Sequence, residues 1–69
     1  MRFNVYGRFL LDIKREGGAW VIYRIADGKR VLSNDFVIPS DLEEAEIPQF
    51  LDDVFHELSG PDDRVDVVP

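Results

Sequence analysis

Glu16-Gly17-Gly18-Ala19-Trp20-Val21-Ile22-Tyr23-Arg24-Ile25-Ala26-Asp27-Gly28 is an apolar run between two turn signals, and its register against the preceding residues decides which side chains reach the core. Every position from Trp20 to Ile25 except Arg24 is aromatic or β-branched, the composition of a strand. Gly17-Gly18 accepts the positive φ of a tight hairpin turn, and Asp27-Gly28 is the strongest short-range hairpin signal in the chain. Strands are therefore expected on both sides, over about residues 2–14, 19–26 and 29–33. From Phe3 to Ile13 the apolar residues Phe3, Val5, Phe9, Leu11 and Ile13 keep to odd positions, with Asn4, Arg8 and Asp12 on the other parity, so this stretch has one dry face. A three-residue loop, Glu16 to Gly18, sets Ile13 against Val21, Leu11 against Tyr23 and Phe9 against Ile25. A two-residue loop sets Leu11 against Arg24 instead, and a slip of one residue moves every side chain of a strand to the other face. Pairing apolar with apolar favours the three-residue loop. Val21, Tyr23 and Ile25 are then core, and Trp20, Ile22 and Arg24 point outward.

Beyond Val31-Leu32, the segment Phe36-Val37-Ile38-Pro39 either continues the sheet edge or covers the core, and Pro39 cannot donate a ladder hydrogen bond. The period then changes. Ile47, Phe50, Leu51, Val54, Phe55 and Leu58 recur at three- and four-residue spacing, which makes one apolar stripe along a helix over about 45–59. Pro48 suits the first turn, Ser40 and Glu43 have capping-box spacing, and Ser59-Gly60-Pro61 ends the helix. Val65-Asp66-Val67-Val68 reads either as a frayed tail or as a fourth strand. The expected fold is α+β: a single domain over residues 1–69 with a small antiparallel sheet of three or four strands and one amphipathic helix on one face.

Charge follows the same division. Of eight basic residues, seven lie in the first 30 positions, which sum to about +4, and the remainder sums to about −10, giving the net −6. Such asymmetry bears on partners and association rates rather than on fold. The absence of cysteine excludes disulfides and thiolate chemistry, and 45% apolar with 32% charged residues is a globular composition. No segment approaches the roughly 20 apolar residues that span a bilayer, so a cytoplasmic protein without membrane contact is expected.

The combination Phe3-Asn4-Val5-Tyr6-Gly7-Arg8-Phe9, Val37-Ile38-Pro39 followed by Asp41-Leu42, and Phe50-Leu51-Asp52-Asp53 followed by Phe55-His56-Glu57-Leu58 resembles a family of short bacterial proteins of unknown function. The resemblance extends over the chain as far as Gly60. It implies no activity, because its motifs belong to the family rather than to a chemistry.

Residue by residue, chemistry is scarce. His56 is the only histidine, with Asp52 and Asp53 one helical turn before it and Glu57 beside it. A metal site needs three or four converging ligands, so a solvated or ion-paired acidic helix face is the expectation, with an Asp52–His56 pair as one arrangement open to it. No metal, cofactor or small-molecule substrate is implied. Paired carboxylates working as acid and base need a cleft that one helix on a small sheet does not provide, so no enzyme and no catalytic residue is expected. The outward sheet face is the more informative surface, since Leu10, Trp20 and Ile22 among Arg8 and Arg24 are too apolar for a solvated face. The expectation is a protein partner or homodimer on that surface. Two alternatives stand beside it: a nucleic-acid-linked, antitoxin-like regulator stacking bases on Trp20, against which the net −6 counts, and an acidic inhibitor whose helix mimics nucleic acid.

Overall fold

The computed structural model describes all 69 residues, Met1–Pro69. Five strands, β1 (Arg2–Val5), β2 (Phe9–Glu16), β3 (Ala19–Ala26), β4 (Lys29–Leu32) and β5 (Val65–Val68), form one antiparallel sheet in the order β4-β3-β2-β1-β5. A single helix, α1 (Ile47–Phe55), packs on one face between short 3₁₀ turns at Glu44–Glu46 and His56–Leu58. The fold class is the expected α+β, with more strands than expected.

One extra strand comes from dividing the first. Thirteen consecutive residues would be long for a strand, and the chain turns at Tyr6-Gly7. Both residues have positive φ, at 57° and 70°, as the centre of a type I′ turn requires. Asn4 Oδ1 accepts from the Gly7 N–H at 2.9 Å, and the Val5 carbonyl accepts from the Arg8 N–H at 2.9 Å. Positive φ is costly for a bulky residue, and two long-range bonds hold Tyr6 there. Its N–H donates to the Arg64 carbonyl at 3.1 Å, and its hydroxyl donates to Asp52 Oδ1 at 2.7 Å. Of the two readings of the C-terminal segment, tail or fourth strand, the structure has the strand, which pairs with β1 from Val5 against Val65 to Arg2 against Val68.

The register of β3 corrects the sequence reading. The loop has two residues, Gly17 and Gly18, both at positive φ, so Glu16 stays in the ladder opposite Ala19. Ile13 then faces Ile22, Leu11 faces Arg24 and Asp12 faces Tyr23. Trp20, Ile22 and Arg24 consequently share the helix-side face with Phe3, Leu11 and Ile13, whereas Val21, Tyr23 and Ile25 share the opposite face with Leu10 and Asp12. The physical reason is that β3 is apolar on both parities. Its hydrophobic pattern therefore fits either register, and the paired glycines, each able to take one of the two left-handed positions of the turn, decide between them. The Asp27-Gly28 hairpin forms as expected, with Asp27 at φ 52° and Gly28 at 76°.

The core consists of Phe3, Val5, Leu11, Ile13 and Ile22 from the sheet, Ile47 and Leu51 from α1, Ile38 from the 33–43 segment, and Tyr6. That segment thus covers the core rather than extending the sheet. Its Phe36 meets Phe55 edge-on at 5.3 Å, and Phe55 meets Phe9 at 5.2 Å. The helix stripe is only partly buried: Ile47 and Leu51 are inaccessible, Phe50 and Phe55 are half-buried, and Val54 and Leu58 are exposed. The α-helix stops at Phe55 and tightens to 3₁₀, so Leu58 falls outside the stripe that a continuous α-helix would have given it. The N-terminal cap is also displaced, with Glu46 Oε2 accepting from the Glu43 N–H at 2.9 Å in place of the expected Ser40 and Glu43 pair.

Candidate interaction surface

With α1 and the 33–43 segment on one face, the other face of the sheet has no covering layer. Its residues lie in rows set by the register. Leu32, Tyr23, Asp12, Arg2 and Val68 form one row, and Arg30, Ile25, Leu10, Asn4 and Asp66 the next. Val21 and Lys14 form a shorter third. Apolar surface is concentrated along β3 and its two neighbours: Val21, Tyr23, Ile25 and Leu10 are half-buried and Leu32 is 55% exposed.

Asp12 sits within this surface, only 8% accessible. Its carboxylate accepts from Arg30 at 3.1 Å and from the Met1 ammonium at 3.4 Å, and that ammonium also donates to the Ile13 carbonyl at 2.9 Å. Burial alone would push the Asp12 carboxyl up, but these donors hold it below the usual carboxylate range. Arg30 reaches Asp12 by crossing the Tyr23 ring, with its guanidinium 4.7 Å from the ring centroid. The Tyr23 hydroxyl donates to Glu16 Oε2 at 3.0 Å, which raises its pKa. These contacts fix the orientations of Tyr23 and Arg30 between the apolar side chains of the face.

The five residues expected to share one interaction surface are separated by the register. Leu10 lies on the open face. Ile22 is buried in the core, and the Trp20 indole is half-buried on the helix side, donating to the Leu42 carbonyl at 2.9 Å beneath the Arg15 guanidinium at 4.2 Å. Arg24 stacks on Phe9 at 4.3 Å on that same side, and Arg8 is exposed in the turn after β1. The sequence reading placed Asp12 on the outward parity but missed Val21, Tyr23 and Ile25 as members of the open face. The available signal was the apolar character of both parities of residues 19–26.

The acidic group is also dispersed. Asp53, His56 and Glu57 are exposed, whereas Asp52 turns inward to accept the Tyr6 hydroxyl. No Asp52–His56 pair forms; His56 Nδ1 instead lies 3.1 Å from the Asp53 carbonyl oxygen, and Asp53 accepts from Gln49 at 3.1 Å. No three of the chain's His, Asp and Glu side chains converge as metal ligands. The surface grooves are shallow. One of about 230 Å³ beside the start of α1 gathers Asp52, Asp63 and Arg64 without a histidine or hydroxyl.

The Tyr6–Asp52 contact has a measurable consequence. Burial, then the hydrogen bond to Asp52, pushes the Tyr6 hydroxyl up to about 12 from its ordinary 10.0. A raised folded-state pKa means that the contribution is complete below the ordinary value and is lost as pH rises through the raised one. Tyr6→Phe should therefore cost about 1–2 kcal/mol near neutral pH, measured by urea unfolding. The difference from wild type should shrink at pH values above that window.

A family model matches residues 1–68. The chain belongs to that family, a domain of unknown function (DUF7661). Neither the curated proteins nor the solved structures give a match. The family match extends through β5, beyond the Gly60 limit of the resemblance read from the motifs, and the pairing of β5 with β1 makes that segment part of the fold. No helix is long and apolar enough to cross a membrane.

Proposed function

We propose that the chain is a non-enzymatic interaction module that meets a protein partner, in the first instance a second copy of itself, through the open face of its sheet. One observation carries this reading: β3 is apolar on both faces, but the fold covers only one. Strands that are apolar on both faces belong to sheets covered on both sides, whereas a half-solvated antiparallel sheet alternates apolar and polar residues. Here Val21, Tyr23 and Ile25 continue into Leu10 and Leu32, and the Asp12–Arg30 pair stands among them as a fixed polar contact. Trp20 is less suited to a base-stacking platform than its composition suggested, because its indole is already occupied by Arg15 and Leu42.

The test is sedimentation of wild type beside Ile25→Lys. At micromolar protein the wild type should form a closed dimer and the variant should be a folded monomer, since it places an unpaired charge at the centre of an apolar contact. Its thermal unfolding should stay within a few degrees of the wild-type midpoint, because Ile25 lies outside the core. A dimer that survives Ile25→Lys at micromolar protein, or a wild type with no association through the open face, removes the reading.

A further inference from the structure

The two edges of the sheet complement each other. β4 is three antiparallel steps from β1 and β5 is one step from it on the other side, so both edge strands run in the same direction. Hairpin alternation gives the inward hydrogen bonds of β4 to Lys29 and Val31, and alternation from the Tyr6 N–H bond to the Arg64 carbonyl gives those of β5 to Asp66 and Val68. The N–H and C=O groups of Arg30 and Leu32 on one edge, and of Val65 and Val67 on the other, have no neighbouring strand.

The register rows have complementary ends. The row through Ile25, Leu10 and Asn4 begins at Arg30 and ends at Asp66, so it carries a cation on one edge and an anion on the other. The row through Tyr23, Asp12 and Arg2 begins at Leu32 and ends at Val68. The row through Arg24, Leu11 and Phe3 begins at Val31 and ends at Val67, which are 56% and 54% exposed. Moving one copy along these rows, with the same face outward, therefore places Asp66 beside Arg30, Val68 beside Leu32 and Val67 beside Val31. Arg30 has donors beyond the one bonded to Asp12, and the Asp66 carboxylate is 53% exposed beside Arg64.

We propose that β5 of one copy adds to β4 of the next as a parallel strand, so that copies associate head to tail through the sheet edges. Such an interface is heterologous: every open assembly keeps one free β4 edge and one free β5 edge, and growth is open-ended unless the twist closes a ring. Main-chain bonds supply the attraction and the row ends fix the register. Each copy carries a net −6, which opposes association at long range but is screened over about 8 Å at physiological ionic strength, whereas Arg30 and Asp66 would be in contact. The proposal does not depend on the open-face reading.

The experiment is sedimentation over micromolar to millimolar protein at physiological salt, in the Ile25→Lys background, so that failure of open-face association and failure of edge pairing are read separately. The average mass should rise from that of the monomer at micromolar protein, without a plateau at two copies. Val31→Glu, which blocks β4, and Val67→Glu, which blocks β5, should each be monomeric. Mixed in equal amounts, they should form a species of two copies and nothing larger, because one native β4 and one native β5 remain while the opposite junction sets two glutamates against each other. If Val67→Glu loosens β5, Asp66→Lys replaces it: it sets a cation against Arg30 at an exposed site and should likewise abolish self-association. A background variant that stays monomeric throughout, edge variants that still associate, or a mixture that stays monomeric would each overturn the proposal.

Discussion

Phe3→Ala should leave the protein largely unfolded at room temperature. Phe3 is inaccessible at the centre of the core, in a row between Leu11 of β2 and Val67 of β5. Truncating a phenylalanine at such a site costs about 3–5 kcal/mol, from lost transfer free energy and an unfilled cavity. A domain of 69 residues with no disulfide has a total stability of about that size. Far-UV circular dichroism with urea titration measures the effect. Val54→Ala on the exposed side of α1 is the control and should change the midpoint little, since Val54 is 39% accessible. A Phe3→Ala protein with a wild-type midpoint would mean that the core is not centred on β1. Phe50 and Phe55 lie on the helix stripe but are half-buried, so their truncation should cost less than that of Phe3.

Lysine substitutions at two adjacent positions of β3 should have opposite outcomes. Ile22→Lys puts an ammonium into a core position that is 4% accessible and should unfold the protein, at a cost of about 4 kcal/mol or more, because no carboxylate is placed to pair with it. Val21→Lys lies on the open face beside Lys14 and should keep the fold with a loss of about 1 kcal/mol or less. Thermal unfolding of the pair measures the register directly. A three-residue loop at 16–18 would reverse the outcomes, with Val21→Lys the damaging change.

The same strand marks the limit of what the chain discloses locally. The hairpin at Asp27-Gly28, a helix starting near Pro48 and the apolar odd positions from Phe3 to Ile13 are short-range signals, set by turn chemistry and periodicity, and they appear in the structure, although the α-helix ends at Phe55 rather than near 59. The turn at Tyr6-Gly7 was less visible, because a tyrosine at positive φ is unfavourable by itself and is held there by Asp52 and Arg64, both more than 45 residues away. Likewise, Val65–Val68 becomes a strand only because β1 offers it a free edge.

The candidate surface shows the division more sharply. Composition alone implied that the sheet has a face too apolar for water, and the uncovered face does carry apolar surface. Which residues form it was undetermined, because Trp20 and Ile22 on one parity and Val21, Tyr23 and Ile25 on the other are equally able to fill a core. The Gly17-Gly18 turn chose between them, and the cover supplied by Ile38, Ile47 and Leu51 then buried the chosen set. Amino-acid sequence by itself determined β3, β4, the helix, their order and the basic and acidic halves, since these depend on residues within a few positions of one another. Tertiary structure alone decided the face presented by β3, the capture of Tyr6 by Asp52 and the matched ends of the sheet rows, because each requires distant segments to meet in one register.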